Sequence, residues 1–259
     1  LLLGIVPPLT AEEWERVFKL YQKTSEFQIE NPTLSLNEFK TIFWWEYVHR
    51  LWGRLIGVLF IVGMLFLIFT KKVGKDLAIH LVCLLVLGGM QGFIGWWMVQ
   101  SGLVERTDVS QYRLVTHLGI AFIILGYLLY LLLSLGERVR DEQVPTTYSR
   151  YALVILGVVS ITILSGGLTA GLKAGHIYNT WPLIDGGLMP EDAFSTSPLW
   201  LDIFENASTV QFDHRFMAYL TCGLVISLWL KIQRESSFTH AKHAVNTMLC
   251  VLILQATLG

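Results

Sequence analysis

Charge is scarce in this chain. Of its 259 residues, 15% are Asp, Glu, Lys or Arg and 53% are hydrophobic, whereas a soluble domain carries about 25% charged residues. Several stretches are free of Asp, Glu, Lys and Arg altogether: 55–70, 77–100, 114–135, 151–170, 216–230 and 244–259. A helix needs about 20 such residues to cross a bilayer, so six membrane spans are expected. Cysteine is scarce too. Cys83, Cys222 and Cys250 all lie inside apolar runs, and there is no Cys-x-x-Cys pair. That excludes a disulfide framework and a thiol-based zinc site, and leaves the three as small buried hydrophobes. A net charge of −1 gives no basic surface for nucleic acid,. No cluster offers the three or four close ligands that zinc takes.

What charge there is falls between the runs. Lys71, Lys72 and Lys75 make one basic turn, Arg138, Arg140 and Arg150 another, and Lys231, Arg234 and Lys242 a third. The long connector 171–209 holds only Lys173, and 101–113 holds Arg106 and Arg113. The excess of Lys and Arg in cytoplasmic or matrix loops then puts 1–42, 101–113 and 171–209 on the outer side. The nine tryptophans mostly sit at span ends, as an interfacial belt does,. In the polar segment 1–42, Trp14, Val17, Phe18 and Tyr21 recur at helical spacing, which predicts one short amphipathic helix. Gly53 with Gly57, and Gly88 with Gly92, are spaced for close helix approach.

The most telling pattern is a repeat. Glu46-Tyr47-Val48-His49-Arg50 returns 165 positions later as Gln211-Phe212-Asp213-His214-Arg215, and each opens an apolar run. Gln91 follows His49 by 42 residues, and Gln255 follows His214 by 41. His117 stands 26 residues beyond Gln91. Parallel duplication of this kind occurs in membrane proteins. The fold class expected is all-α: a polytopic membrane protein of two pseudo-symmetric four-helix bundles, eight helices in the whole, about six here. The expected organisation is an outer polar loop 1–42, a first half-bundle 43–135, an inner connector 136–150 and a second half-bundle 151–259. The chain begins at Leu1 and stops inside an apolar run, so the first and last helices are expected to lie outside it.

A histidine inside a membrane span is a functional candidate unless polar packing accounts for it. Histidine is also an axial ligand of haem iron. His49 with His117 can frame one macrocycle, and His214 with a histidine beyond the chain a second. Arg50, Arg54 and Arg215 lie within a turn or so of these histidines and suit carboxylates such as propionates, or else snorkel to the interface. Glu46 shares a helix face with His49 and becomes Gln211 in the second copy, so a carboxylate is available in one half only. His80, His240 and His243 fall at the other ends of spans and read as interfacial.

Taken together, the runs Glu46–Arg54, Gln111–Gly119 and Val210–Arg215, with Ala170–Gly175 and Tyr178–Pro182, resemble the haem A synthase family along the whole chain. The resemblance implies an oxidoreductase acting on a CH3 group, which oxidises the C8 methyl of haem O to the formyl of haem A for terminal oxidases. It implies that His49 and His117 frame the substrate haem, that His214 is an axial ligand of a haem b cofactor, and that Glu46 is the catalytic residue. It implies membrane lipid, haem O synthase, cytochrome c oxidase assembly factors, an electron partner and a second copy of the chain as partners. The membrane is a mitochondrial inner or bacterial plasma membrane. Residues 1–42 lack the cysteine pair of some bacterial members, which points to the mitochondrial and related bacterial branch. The paired histidines alone fit an electron-transfer cytochrome with two bis-histidine haems equally well, and the repeat alone fits a transporter. The duplication makes one prediction about sequence itself: the continuation beyond Gly259 carries a histidine near position 281 in a further apolar run, as reading that segment will check.

Overall fold

The computed structural model describes residues 6–104, 109–136 and 144–258, apart from the side chains of 101–104. Arg106, Arg138, Arg140 and Gly259 lie outside the described residues. Among those described there is no strand. The helices are α1 (Ala11–Tyr21), α2 (Leu36–Phe69), α3 (Lys75–Val104), α4 (Gln111–Leu135), α5 (Thr146–Gly171), α6 (Leu199–Glu205), α7 (Ala207–Gln233) and α8 (His240–Leu258). Six of them, α2, α3, α4, α5, α7 and α8, are long and apolar enough to cross a membrane. The chain is therefore an all-α polytopic membrane protein. It forms two compact units, Leu1–Gly126 and Tyr127–Gly259.

In the first unit the helix starts are written locally. Thr10 and Glu13 form a reciprocal capping box at α1, and Ser35 with Glu38 forms another at α2,. The second box starts α2 at Leu36, ahead of position 43, where the first half-bundle is expected to begin. With 34 residues, α2 is roughly 50 Å long,, well beyond the roughly 30 Å of a bilayer's hydrocarbon. Its first turns are covered by α1. Trp14 packs edge-on to Phe43 at 4.9 Å, Tyr21 stacks on Phe39 at 4.9 Å, and Phe43 stacks on Tyr47 at 6.0 Å. Phe39 and Phe43 are buried in this cluster. The amphipathic helix expected around Trp14 is thus a cap on the turns that lead to Glu46 and His49.

In the second unit α5 lies along α7 over Ile155, Val225, Leu228 and Ile232, with Phe238 and Val245 closing the core. Thr162 joins the two helices by meeting Thr221 Oγ1 at 2.9 Å. Trp229 Nε1 and Gln233 Nε2 both donate to Asn246 Oδ1, at 2.7 and 2.6 Å, and so tie α7 to α8.

The connector from α5 to α6 is folded. Fully buried Asp202 accepts from Thr196 N at 2.7 Å, from Asn206 Nδ2 at 3.1 Å and from the Thr209 hydroxyl. Asp192 accepts from Tyr178 and Ser208 hydroxyls at 2.9 and 2.7 Å. Burial opposes the ionised form of Asp202, but the hydrogen bonds from Thr209, Thr196 and Asn206 outweigh it and hold the carboxyl well below the usual range,. Ser208 and Tyr178 lower Asp192 in the same way. The Asn206 side chain is spent here: it caps α7 at Ser208 N and donates to Asp192 O and Asp202.

Two outcomes follow for this connector. Asn206→Ala removes the cap of α7 and is expected to cost about 1 kcal/mol, read from thermal unfolding of the detergent-solubilised protein. Because both aspartates titrate below their unfolded values, what they contribute is fully present above a pH of about 4 and is lost only as pH falls through the lower folded values. Tryptophan fluorescence near this connector should therefore stay native down to that pH.

Candidate haem-binding site

In the first unit, Glu46, His49, Arg50 and Arg54 follow one another on α2. The Glu46 carboxylate accepts from Arg50, one turn on. Both line a cleft of about 450 Å³ against α1, together with Glu13, Arg16 and Tyr47. His49 is exposed on the same helix, and so is Arg54. His117 stands on α4, in the same unit as His49.

The His117 ring lies against α3. A Cβ built on Gly95 would stand 2.8 Å from His117 Cε1. Gln91, one turn earlier on α3, brings its amide Nε2 to 3.3 Å from His117 Nε2. An amide nitrogen only donates, so His117 Nε2 carries the lone pair. His117 Nδ1 and Gln91 Oε1 are buried without any partner among the described residues.

His214 of α7 lies against α5 in the same manner. A Cβ on Gly166 would stand 2.9 Å from its Cε1. Its Nδ1 is 3.0 Å from Ser165 Oγ. The Ser165 hydroxyl already gives its one proton to Thr162 O at 2.8 Å, so it can only accept from the ring. His214 Nδ1 therefore holds the proton, and Nε2 keeps a lone pair with no partner among the described residues. Such an arrangement, one ring nitrogen donating to a neighbour and the other free, is that of a metal-ligating histidine. The residues present fit an iron macrocycle on two observations: the free Nε2 of His214 and the bare glycine under each ring. Among the described residues no cluster of His, Cys, Asp or Glu is built for a bare metal ion.

Arg215 and Gln211 have partners in the connector that the sequence does not show. Arg215 donates to Thr180 O and Tyr178 O, both at 2.8 Å, and Gln211 Nε2 donates to Tyr178 O at 2.9 Å. Much of the guanidinium fork expected for a propionate thus holds the connector on α7. The Glu46/Gln211 difference has a local cause as well: position 211 must donate to a carbonyl, which a carboxylate cannot do, whereas Glu46 accepts from Arg50. The expected close approach at Gly53, Gly57, Gly88 and Gly92 is not found, since nothing lies within 4 Å of a Cβ at any of them. The close approaches occur at Gly95 and Gly166, to which no spacing rule pointed. Ser165 also escaped, because only the fold sets it beside His214.

Arg215→Ala removes two hydrogen bonds worth together about 2 kcal/mol. The connector 174–198 should then open about 30-fold more often, seen as faster limited proteolysis within it and unchanged cleavage elsewhere.

The sequence profile of the COX15-CtaA family, described as cytochrome oxidase assembly protein, matches residues 1–259. A protein of Sinorhizobium fredii named heme A synthase is 46% identical over 258 residues, covering 99% of this chain and 70% of that protein. One of Allorhizobium ampelinum with the same name is 45% identical over 260 residues, again 99% and 70%. One of Parvibaculum lavamentivorans, also so named, is 44% identical over 234 residues, 90% and 68%. No solved structure matches. A family match along the whole chain, on a helical membrane scaffold that sets paired histidines, makes this chain a member of the COX15-CtaA family of cytochrome oxidase assembly proteins.

Proposed function

We propose that this chain is a haem A synthase that oxidises the C8 methyl group of haem O to the formyl group of haem A, in a bacterial plasma membrane. The name its relatives carry supports the activity. The observation that carries the division of labour is the presence of a carboxylate, Glu46, beside the histidine pair of the first unit, where the second unit has an amide.

Converting a methyl to a formyl removes electrons and protons and adds one oxygen atom. His49 and His117 hold the substrate haem and fix where its edge lies. Gln91 covers the lone pair of His117 and must turn aside as the substrate enters. Glu46 lies three residues before His49 on α2, at the edge of the cleft under α1. There an ionised carboxylate stabilises positive charge growing on the methyl carbon or orients the attacking water. Arg50, paired with Glu46, holds the carboxylate in place. Arg50 and Arg54, one and five residues after His49 on α2, would bind the propionates of the haem.

In the second unit His214 would hold a haem b cofactor, which would supply one-electron transfer when bound. Ser165 keeps the His214 proton on Nδ1 and leaves the lone pair on Nε2,. Gln211 and Arg215 contribute by closing the connector over that end of α7. Both histidine sites lie towards the periplasmic face in this reading, which the excess of Lys and Arg in the opposite turns supports.

Glu46→Gln in the full-length protein keeps the side-chain size and removes the charge. Haem A extracted from membranes carrying this variant should fall about a hundredfold or more, with haem O accumulating and haem b retained. Undiminished haem A would sink the role of Glu46, and purified wild-type protein holding two stable haem b groups would sink the synthase reading altogether.

A further inference from the structure

Two glycines stand apart from the rest. At Gly95 and at Gly166 an added Cβ would come within 3.0 Å of another atom, and in both cases that atom is Cε1 of a histidine. The two settings agree atom by atom: 2.8, 3.4 and 3.5 Å to Cε1, Nδ1 and Nε2 of His117, and 2.9, 3.5 and 3.6 Å to the same atoms of His214. Different helix pairs achieve this. Gly95 is on α3 and meets α4, whereas Gly166 is on α5 and meets α7. In the register of the repeat, Gln91 corresponds to Gln255, so Gly95 corresponds to Gly259 and not to Gly166. The likeness is therefore not one contact copied by duplication.

Glycine inside a helix is destabilising relative to alanine, so a glycine kept there needs a reason. Close packing of backbones is the usual one, but here the neighbour is an imidazole ring. Resting on this reading of the histidines as haem ligands, we propose that Gly95 and Gly166 are positioning residues for His117 and His214, each leaving a side-chain-free stretch of helix on which the ring lies, which sets the ring plane and the direction of its Nε2. A methyl at either position would have to push the ring away from the helix. The free ring can turn to accommodate that. A ring held by iron can do so only by changing the ligand plane or by losing the bond.

The test uses the full-length protein purified in detergent with Gly95→Ala and Gly166→Ala. Gly88→Ala and Gly157→Ala serve as controls, in the same helices with nothing within 4 Å. The readouts are haem per protein, the electron paramagnetic resonance of the low-spin ferric haem, and its midpoint potential. Gly166→Ala should lower retained haem b about 10-fold or shift its resonance and potential, and Gly95→Ala should do the same for haem O. The controls should match wild type. Wild-type spectra and potentials in both test variants would overturn the proposal.

Each substitution is also made together with removal of its ring, as Gly95→Ala with His117→Ala and Gly166→Ala with His214→Ala. In those backgrounds the glycine change should have no further effect on accumulation or melting. An equal loss with and without the ring means that the methyl strikes something else, and that overturns the proposal even if the single variants fail to accumulate. Wild-type protein without haem would refute the functional reading, while these paired variants would still decide the steric one.

Discussion

A histidine inside an apolar helix has no water to bond, and each of its ring nitrogens must find a partner in the protein or in a ligand. That constraint organises both units. At His214 it is met on one side only: Nδ1 gives its proton to Ser165, whose own proton is already committed to Thr162 O, and Nε2 is left with a lone pair. At His117 it is met with a substitute, the Gln91 amide, and at the cost of two orphaned atoms. Unpartnered buried polar atoms are rare enough to call for a missing partner. For the Nε2 of His214 a flat iron macrocycle would supply one, because it offers a single strong acceptor for a nitrogen lone pair and otherwise asks for apolar walls.

Around that requirement the two units are closed by unlike means. In the first, an aromatic cluster of Trp14, Tyr21, Phe39 and Phe43 presses α1 onto the protruding turns of α2, and the cleft beneath keeps Glu46 paired with Arg50. In the second, a hydrogen-bonded connector takes the place of the aromatic cap, with Asp202 and Asp192 as its anchors and Arg215 and Gln211 as its ties to α7. The same local motif, an acid or amide followed by histidine and arginine, thus serves different neighbours. A carboxylate at 211 would face the Tyr178 carbonyl without a proton to give, so the second unit has a structural reason to carry glutamine. The acid survives where a guanidinium meets it, and there it is also available for chemistry.

Much of this was legible beforehand. The six spans follow from hydropathy and length alone, since a bilayer leaves the backbone few alternatives. The capping boxes at Thr10/Glu13 and Ser35/Glu38 and the apolar stripe of α1 are local signals, and local signals survive folding. The repeat of Glu46–Arg50 in Gln211–Arg215 could be read because it is a spacing along one chain, visible without any contact. Other features could not be read. Gly53, Gly57, Gly88 and Gly92 have the spacing of close-packed helices yet face open space, while Gly95 and Gly166 lack it and are the ones that matter. Nothing in the sequence announces that Arg215 donates to Thr180 O and Tyr178 O.

The sequence by itself determined the membrane class, the helical fold, the repeat and the residues able to hold a haem, because these depend on composition and on spacing along one chain. Only the tertiary structure decided which nitrogen of each histidine is free, which glycines lie beneath the rings, and where Arg215 and Gln211 are spent. Those depend on which face of one helix meets which face of another, and the order of residues along a single helix does not carry that information.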